Sequence, residues 1–157
     1  MFEEIIEQIE FEITQIDHLF DVYGELFQRA LQESALSVIE LAALASVVHS
    51  FYNGLESIFV NIAKRLDQNV PTGSQWHRDL LIQIGTPTAS RGSVLTDTTI
   101  THLTNYLGFR HFYRHSYTFF VEESKLDQLV IPISSLWLQV KLELVTFVES
   151  LKNQGHP

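Results

Sequence analysis

Apolar residues near the start of the chain recur every seven positions in two interleaved series. Phe2, Ile9, Ile16, Tyr23 and Ala30 form one, and Ile6, Ile13, Phe20 and Phe27, offset by four, form the other. This alternation of threes and fours is the period of an amphipathic helix and excludes a strand. It predicts one long helix from about Phe2 to Gln32, with Glu3, Glu7, Glu10, Asp17, Asp21 and Glu25 on its outer face. Gly24 weakens it locally, since an interior glycine costs about 1 kcal/mol against alanine. A second apolar series, Leu41, Leu44, Val48, Phe51, Leu55, Ile58, Ile62 and Leu66, predicts a helix to about Asp67. Ser34 can cap it, or Ser37 can form a capping box with Glu40. So short a link folds the two helices into an antiparallel hairpin, although a junction without Gly or Pro also allows a kink.

Asn69, Pro71, Thr72 and Gly73 place a loop over 68–74, and WHRDLLIQI predicts a short helix over Trp76–Ile84. A second loop covers GTPTASRGS, Gly85–Ser93. A helix then starts at Thr96 or Asp97 and reaches Gly108, and helical pattern continues through Phe119 and Phe120 to about Glu122. The last helix spans about Ser124–Lys152, with a kink or break expected at Pro132. No repeat and no strand alternation interrupts this plan. The expected fold is all-α: an antiparallel up-and-down bundle of four main helices with short additional ones.

A length of 157 residues fits one domain, 1–157, with a core of its own. The chain has no cysteine, which excludes disulfides, thiolate metal sites and a cysteine nucleophile and fits a reducing, cytoplasmic setting. The acidic, amphipathic N-terminus lacks the features of a secretory signal, and no uninterrupted apolar run of about 20 residues suggests a membrane span. The net charge of −9 opposes polyanion binding over the whole surface. Its distribution is uneven. Residues 1–75 carry a net −9 and residues 118–157 a net −2, whereas residues 76–117 carry a net +2 and four of the seven histidines. A local anion site belongs in that middle segment.

The segment ends in FRHFYRHSY, Phe109–Tyr117, where Arg110, His111, Arg114, His115 and Tyr117 lie within eight positions. A guanidinium can grip a phosphate through two hydrogen bonds, and an imidazole can move protons near neutral pH. Such groups can cleave RNA without a metal, with imidazole taking a proton from a ribose hydroxyl or giving one to a leaving oxygen. Equally, both arginines could pair with the many carboxylates and both histidines be half-buried helix residues. At about 100° per residue, Arg110 and His115 stand about 140° apart on a helix. To act together they need a helix break near Gly108 or a second subunit.

Arg110, four residues, His115, one residue and Tyr117 match the RX4HXY pattern, and the chain thereby resembles HepT toxins of the HEPN superfamily. His111, the polar residue after the arginine, suits that superfamily. YNGLE (Tyr52–Glu56) and WHRDLL (Trp76–Leu81) resemble a HepT-like ribonuclease subgroup. The resemblance implies a metal-independent ribonuclease without cofactor, acting on RNA, with tRNA a candidate. Arg110 would bind phosphate and His115 act as acid or base, in a cleft between the subunits of a homodimer, with His111 and Arg114 auxiliary. It also implies a neighbouring MNT-type nucleotidyltransferase antitoxin that transfers AMP to Tyr117. The bulky anion would then block the cleft and compete for Arg110. The alternative is a non-catalytic HEPN bundle that binds a nucleotide or partner protein through the same cleft.

Other polar residues carry weaker expectations. His111 and His115 have the i, i+4 spacing of a metal pair, but no nearby carboxylate completes a ligand set. His77 and Arg78, with Asp79, either line the RNA cleft or form a solvated first turn. Asn53 and Glu56 lie off the apolar stripe and either face the cleft or form a solvated face. His18 and His49 suggest no role, and Trp76 and Trp137 read as core or interface.

Overall fold

The computed structural model describes residues 2–32, 35–115, 117 and 122–155. These residues form six α-helices and no strand: α1 (Glu3–Val22), α2 (Gly24–Leu31), α3 (Val38–Ile62), α4 (Trp76–Ile84), α5 (Asp97–His115) and α6 (Glu123–Gln154). The expected all-α bundle is present. Four long helices, α1, α3, α5 and α6, surround a common apolar core, with α2 and α4 as the short additions.

The expected first helix is divided. Tyr23 leaves helical geometry (φ −103°, ψ 13°), and Gly24 opens α2 instead of lying inside one long helix. Of the two heptad series Ile9, Ile13, Ile16 and Phe27 are buried, whereas Tyr23 at the division is exposed. Ile5, outside both series, takes a core position instead. The division lets α1 lie on α3 while α2 turns onto α6, where Phe27 and Phe20 stack 5.3 Å apart over Trp137.

Ser37 starts α3 with a complete capping box, its side chain accepting from the Glu40 amide while Glu40 accepts from the Ser37 amide. Ser34, the other candidate cap, lies outside the described residues. The close approach of α1 to α3 depends on Gly54, because a Cβ there would stand 3.0 Å from Ile16 Cγ1. At its end α3 widens into a π-helical turn, Ala63–Asp67, and stops at Gln68 in the left-handed region (φ 52°). By length and composition alone, Val38–Asp67 and α6 could each cross a membrane; in this fold they pack on each other.

Pro132 does not break α6, which is assigned continuously from Glu123 to Gln154. A proline removes one amide from the ladder and disturbs the carbonyls about one turn before it. Here the buried Tyr106 hydroxyl donates to the Leu129 carbonyl, at 2.6 Å, in that turn. Gly108 causes no break either, since α5 runs through it to His115. Tyr117 is outside the helix and Glu122 has extended geometry, so the expected helix to Glu122 stops short. Phe119 and Phe120 lie outside the described residues.

The loop after α4 is fastened by a buried ion pair. Arg91 meets Asp67 through Nε and Nη2, both at 2.7 Å, and gives its remaining donors to the Thr86, Gln83 and Gly92 carbonyls. Both side chains are almost fully buried. Removing one partner of such a pair strands the other charge and costs about 3–5 kcal/mol. Arg91→Ala should therefore lower the urea midpoint by that equivalent, and an unchanged midpoint would show the pair to be dispensable.

Candidate functional site

The site is assembled from α3, α4 and α5. Tyr52 and Asn53 lie three and four residues after His49 on α3, and Glu56 lies four and three after them, so the four side chains share one face. Tyr106, Arg110 and Tyr113 share the facing side of α5 in the same way. His77 enters from the first turn of α4, its ring 3.5 Å from that of Trp76.

Glu56 sits at the centre, with only 7% of its surface exposed. Its Oε2 lies 2.7 Å from His77 Nδ1, and its Oε1 lies 3.5 Å from Arg110 Nη2. Arg110 Nε donates to Asn53 Oδ1 at 3.2 Å, and Arg110 Nη1 stands 3.4 Å from His77 Nε2. Asn53 in turn donates to His49 Nδ1 at 3.2 Å, and the His49 ring packs on Tyr113 at 4.6 Å. A carboxylate only accepts, so Nδ1 of His77 carries a proton and, in the neutral ring, Nε2 presents a lone pair to Arg110. The cluster thus holds a guanidinium and an oriented imidazole side by side, an arrangement that can bind a phosphate and move a proton next to it.

Two buried polar atoms beside the cluster have no hydrogen-bond partner, Tyr52 Oη and His49 Nε2. Burial pushes the Tyr52 phenol well above its usual range, with Glu56 adding to the effect and Arg110 opposing it. Burial also lowers the His49 imidazole, and the positive charges of Arg110 and Arg114 lower it further against the pull of Glu56.

The rest of the motif points elsewhere. Because α5 is continuous, His111, Arg114 and His115 turn outward and are exposed, and His115 stays about 140° from Arg110. His111 and His115 bring their rings to 4.7 Å. Among the described residues no three His, Asp or Glu side chains are grouped to hold a metal ion. Tyr117 follows α5 two residues past its end and is 71% exposed. Arg78 and Asp79 are exposed on α4, so of that trio only His77 joins Arg110. The grooves between α5 and α6, of about 400 and 580 Å³, open on the flank of α5 that carries Asn105, away from Arg110.

The family model described as HepT-like protein matches residues 43–151, more than half of the chain. The chain belongs to the HepT-like family. Membership carries the helical HEPN bundle with it and, in general terms, suggests a ribonuclease toxin with RNA targets and a toxin–antitoxin partner. No curated protein and no solved structure matches significantly. The match begins inside α3 and leaves α1 and α2 outside it. The whole Glu56–His77–Arg110 cluster falls within the part shared with other HepT-like proteins.

Sequence reasoning underrated Glu56, set aside His49 and gave Tyr52 no role of its own. One signal was available: Glu56 is the only Asp, Glu, Lys or Arg between Leu41 and Ala63. A lone charge in so apolar a helix is rarely left without a partner. For His49 the signal was its spacing of seven from Glu56.

The depressed His49 imidazole has a consequence for stability. Below the unfolded value of 6.5, the unfolded chain gains a proton that folded His49 resists, so folding stability falls as pH drops through that range. His49→Gln should flatten this part of the curve, read by urea unfolding between about pH 5 and 7.5. An unchanged slope would contradict the assignment.

Proposed function

We propose that this HepT-like protein is a metal-independent ribonuclease toxin acting as a homodimer on RNA, with tRNA as one candidate target. The reading treats residues 1–157 as one domain, working in the cytoplasm. Arg110 binds the scissile phosphate. His115 serves as general acid or base, with His111 and Arg114 lending polar and positive character to the same rim. His77 belongs to the RNA-binding wall, and the exposed Arg78 offers a contact further out.

The observation that carries this reading is the state of Arg110. A guanidinium braced by Asn53 and Glu56, beside an imidazole, has its rotamer set before any phosphate arrives. Such preorganised charge stabilises developing negative charge without reorganisation at the moment of reaction. Within one protomer His115 turns away from Arg110, so the reading needs a second copy to bring a His115 across the dimer axis. The mutual contact of a two-fold interface supplies two such sites at once.

Silencing follows from the same geometry. An MNT-type nucleotidyltransferase would transfer AMP to Tyr117, which is exposed just past α5 and therefore accessible to another enzyme's active site. The added phosphate is an anion tethered near the arginines and can occupy the place of the RNA backbone.

One observation favours the alternative, a non-catalytic bundle that receives a nucleotide or partner protein at Arg110. Arg110 and His115 do not meet within the protomer, so a chain that stayed monomeric would be left with an anion receptor.

Two measurements separate these readings. His115→Ala should lower cleavage of RNA by about 10²–10⁴-fold. A variant as fast as the parent would remove His115 from the chemistry, and a parent that leaves RNA intact would favour the receptor. Tyr117→Phe should take up no label from radiolabelled ATP in the presence of the antitoxin, and continued labelling would place the modification elsewhere.

A further inference from the structure

The imidazole that reaches Arg110 in this fold is His77, not His115. Its Nε2 is 3.4 Å from Arg110 Nη1, while His115 lies on another face of α5. His77 also has what the exposed histidines lack, a buried carboxylate on its other nitrogen at 2.7 Å. That hydrogen bond fixes the tautomer and holds the ring plane. Trp76 packs on the ring as well, leaving the Nε2 edge as the working side.

We propose that His77 is the general base of RNA cleavage, with Glu56 as the positioning residue that orients both His77 and Arg110. The inference rests on the ribonuclease reading and assigns its missing half. In the resting site Arg110 donates toward His77 Nε2 and keeps it occupied. When a phosphate takes the Arg110 donors, Nε2 is released beside the ribose that carries the attacking hydroxyl. Nε2 then accepts the 2′-hydroxyl proton, the O2′–P bond forms, and the P–O5′ bond breaks. The leaving O5′ takes a proton from the acid, the His115 imidazolium. The products are a 2′,3′-cyclic phosphate and a 5′-hydroxyl, and His77 returns its proton to water. Base and acid thus come from different helices, as in-line displacement requires of groups on opposite sides of phosphorus.

The charged and titratable groups around His77 are Glu56 from α3 and Arg110 from α5, with His49 linked to Arg110 through Asn53.

The test is single-turnover cleavage of a single-stranded RNA oligonucleotide spanning a site mapped with the parent protein. It is run from about pH 5 to 9 on the parent, His77→Gln, Glu56→Gln and His115→Ala. A matched oligonucleotide with sulfur at the bridging 5′ position has a leaving group that needs no protonation. His77→Gln should lose about 10²–10⁴-fold in rate together with the acid limb, and sulfur should not restore it. His115→Ala should be restored by sulfur. Glu56→Gln, which preserves shape, should lower the rate at saturating RNA more than it weakens RNA binding, a split that loss of packing alone would not produce. Each variant's thermal midpoint is compared with the parent's; if His77→Gln unfolds, the rate of Glu56→Gln at saturating RNA decides the matter. The inference is overturned if His77→Gln keeps the parent rate and profile, if sulfur rescues it, or if Glu56→Gln keeps the parent rate at saturating RNA. Failure of the parent to cleave RNA would instead overturn the ribonuclease reading itself, and this inference with it.

Discussion

A carboxylate buried inside an apolar helix cannot stand alone. Glu56 is held in the core of this fold, and the desolvation of its charge is offset only because His77 and Arg110 come to it from two other helices. This one requirement orders the surroundings. It draws the first turn of α4 against α3, and it turns the Arg110 face of α5 inward. At the other end of α4 a second buried carboxylate does the same work: Asp67 receives both Arg91 and the Gln83 side chain. The short α4, nine residues long, is thus pinned at both ends by acids from the α3 segment. Neither acid is at the surface, and both pairings depend on the apolar packing that excludes water around them.

The second constraint is the continuity of α5. With no break at Gly108, its functional residues are divided between an inward stripe ending in Arg110 and an outward rim of His111, Arg114 and His115. The inward stripe supplies a fixed guanidinium with an imidazole beside it. The outward rim supplies exposed imidazoles and positive charge. A phosphodiester at Arg110 would touch the first directly and the second only if another protomer presented its own rim. Of the two ways in which Arg110 and His115 could act together, a helix break near Gly108 or a second subunit, this continuity leaves the second. It also makes His77 the natural partner of Arg110 within the protomer.

The helical plan was legible because apolar period, caps and loop residues agreed. Trp76–Ile84 was read to the residue, and the Ser37–Glu40 box formed as written in the sequence. The division at Tyr23 was not legible, because the heptad series continues through it; tertiary packing of α2 on α6 set that break. Of the kink or break expected at Pro132, the break is absent, since the helix on both sides of it is held by the core. At the site, Arg110 and His77 were both visible as residue types. Their partner Glu56 was left between cleft and solvent, because it stands next to the apolar stripe and only the crossing of α4 shows that this edge is buried. His49 escaped notice for the same reason: its place in the cluster depends on Tyr113 and Arg110, more than 60 positions away.

The central claim is that catalysis joins Arg110 and His77 of one protomer to His115 of another. Mixing the two inactive variants Arg110→Ala and His115→Ala, after co-refolding to exchange subunits, tests it directly. In a mixed dimer one of the two sites has every group intact. The account predicts that RNA cleavage absent from each variant alone returns in the mixture and follows the fraction of mixed dimers. Mixed dimers that form and remain inactive would contradict it.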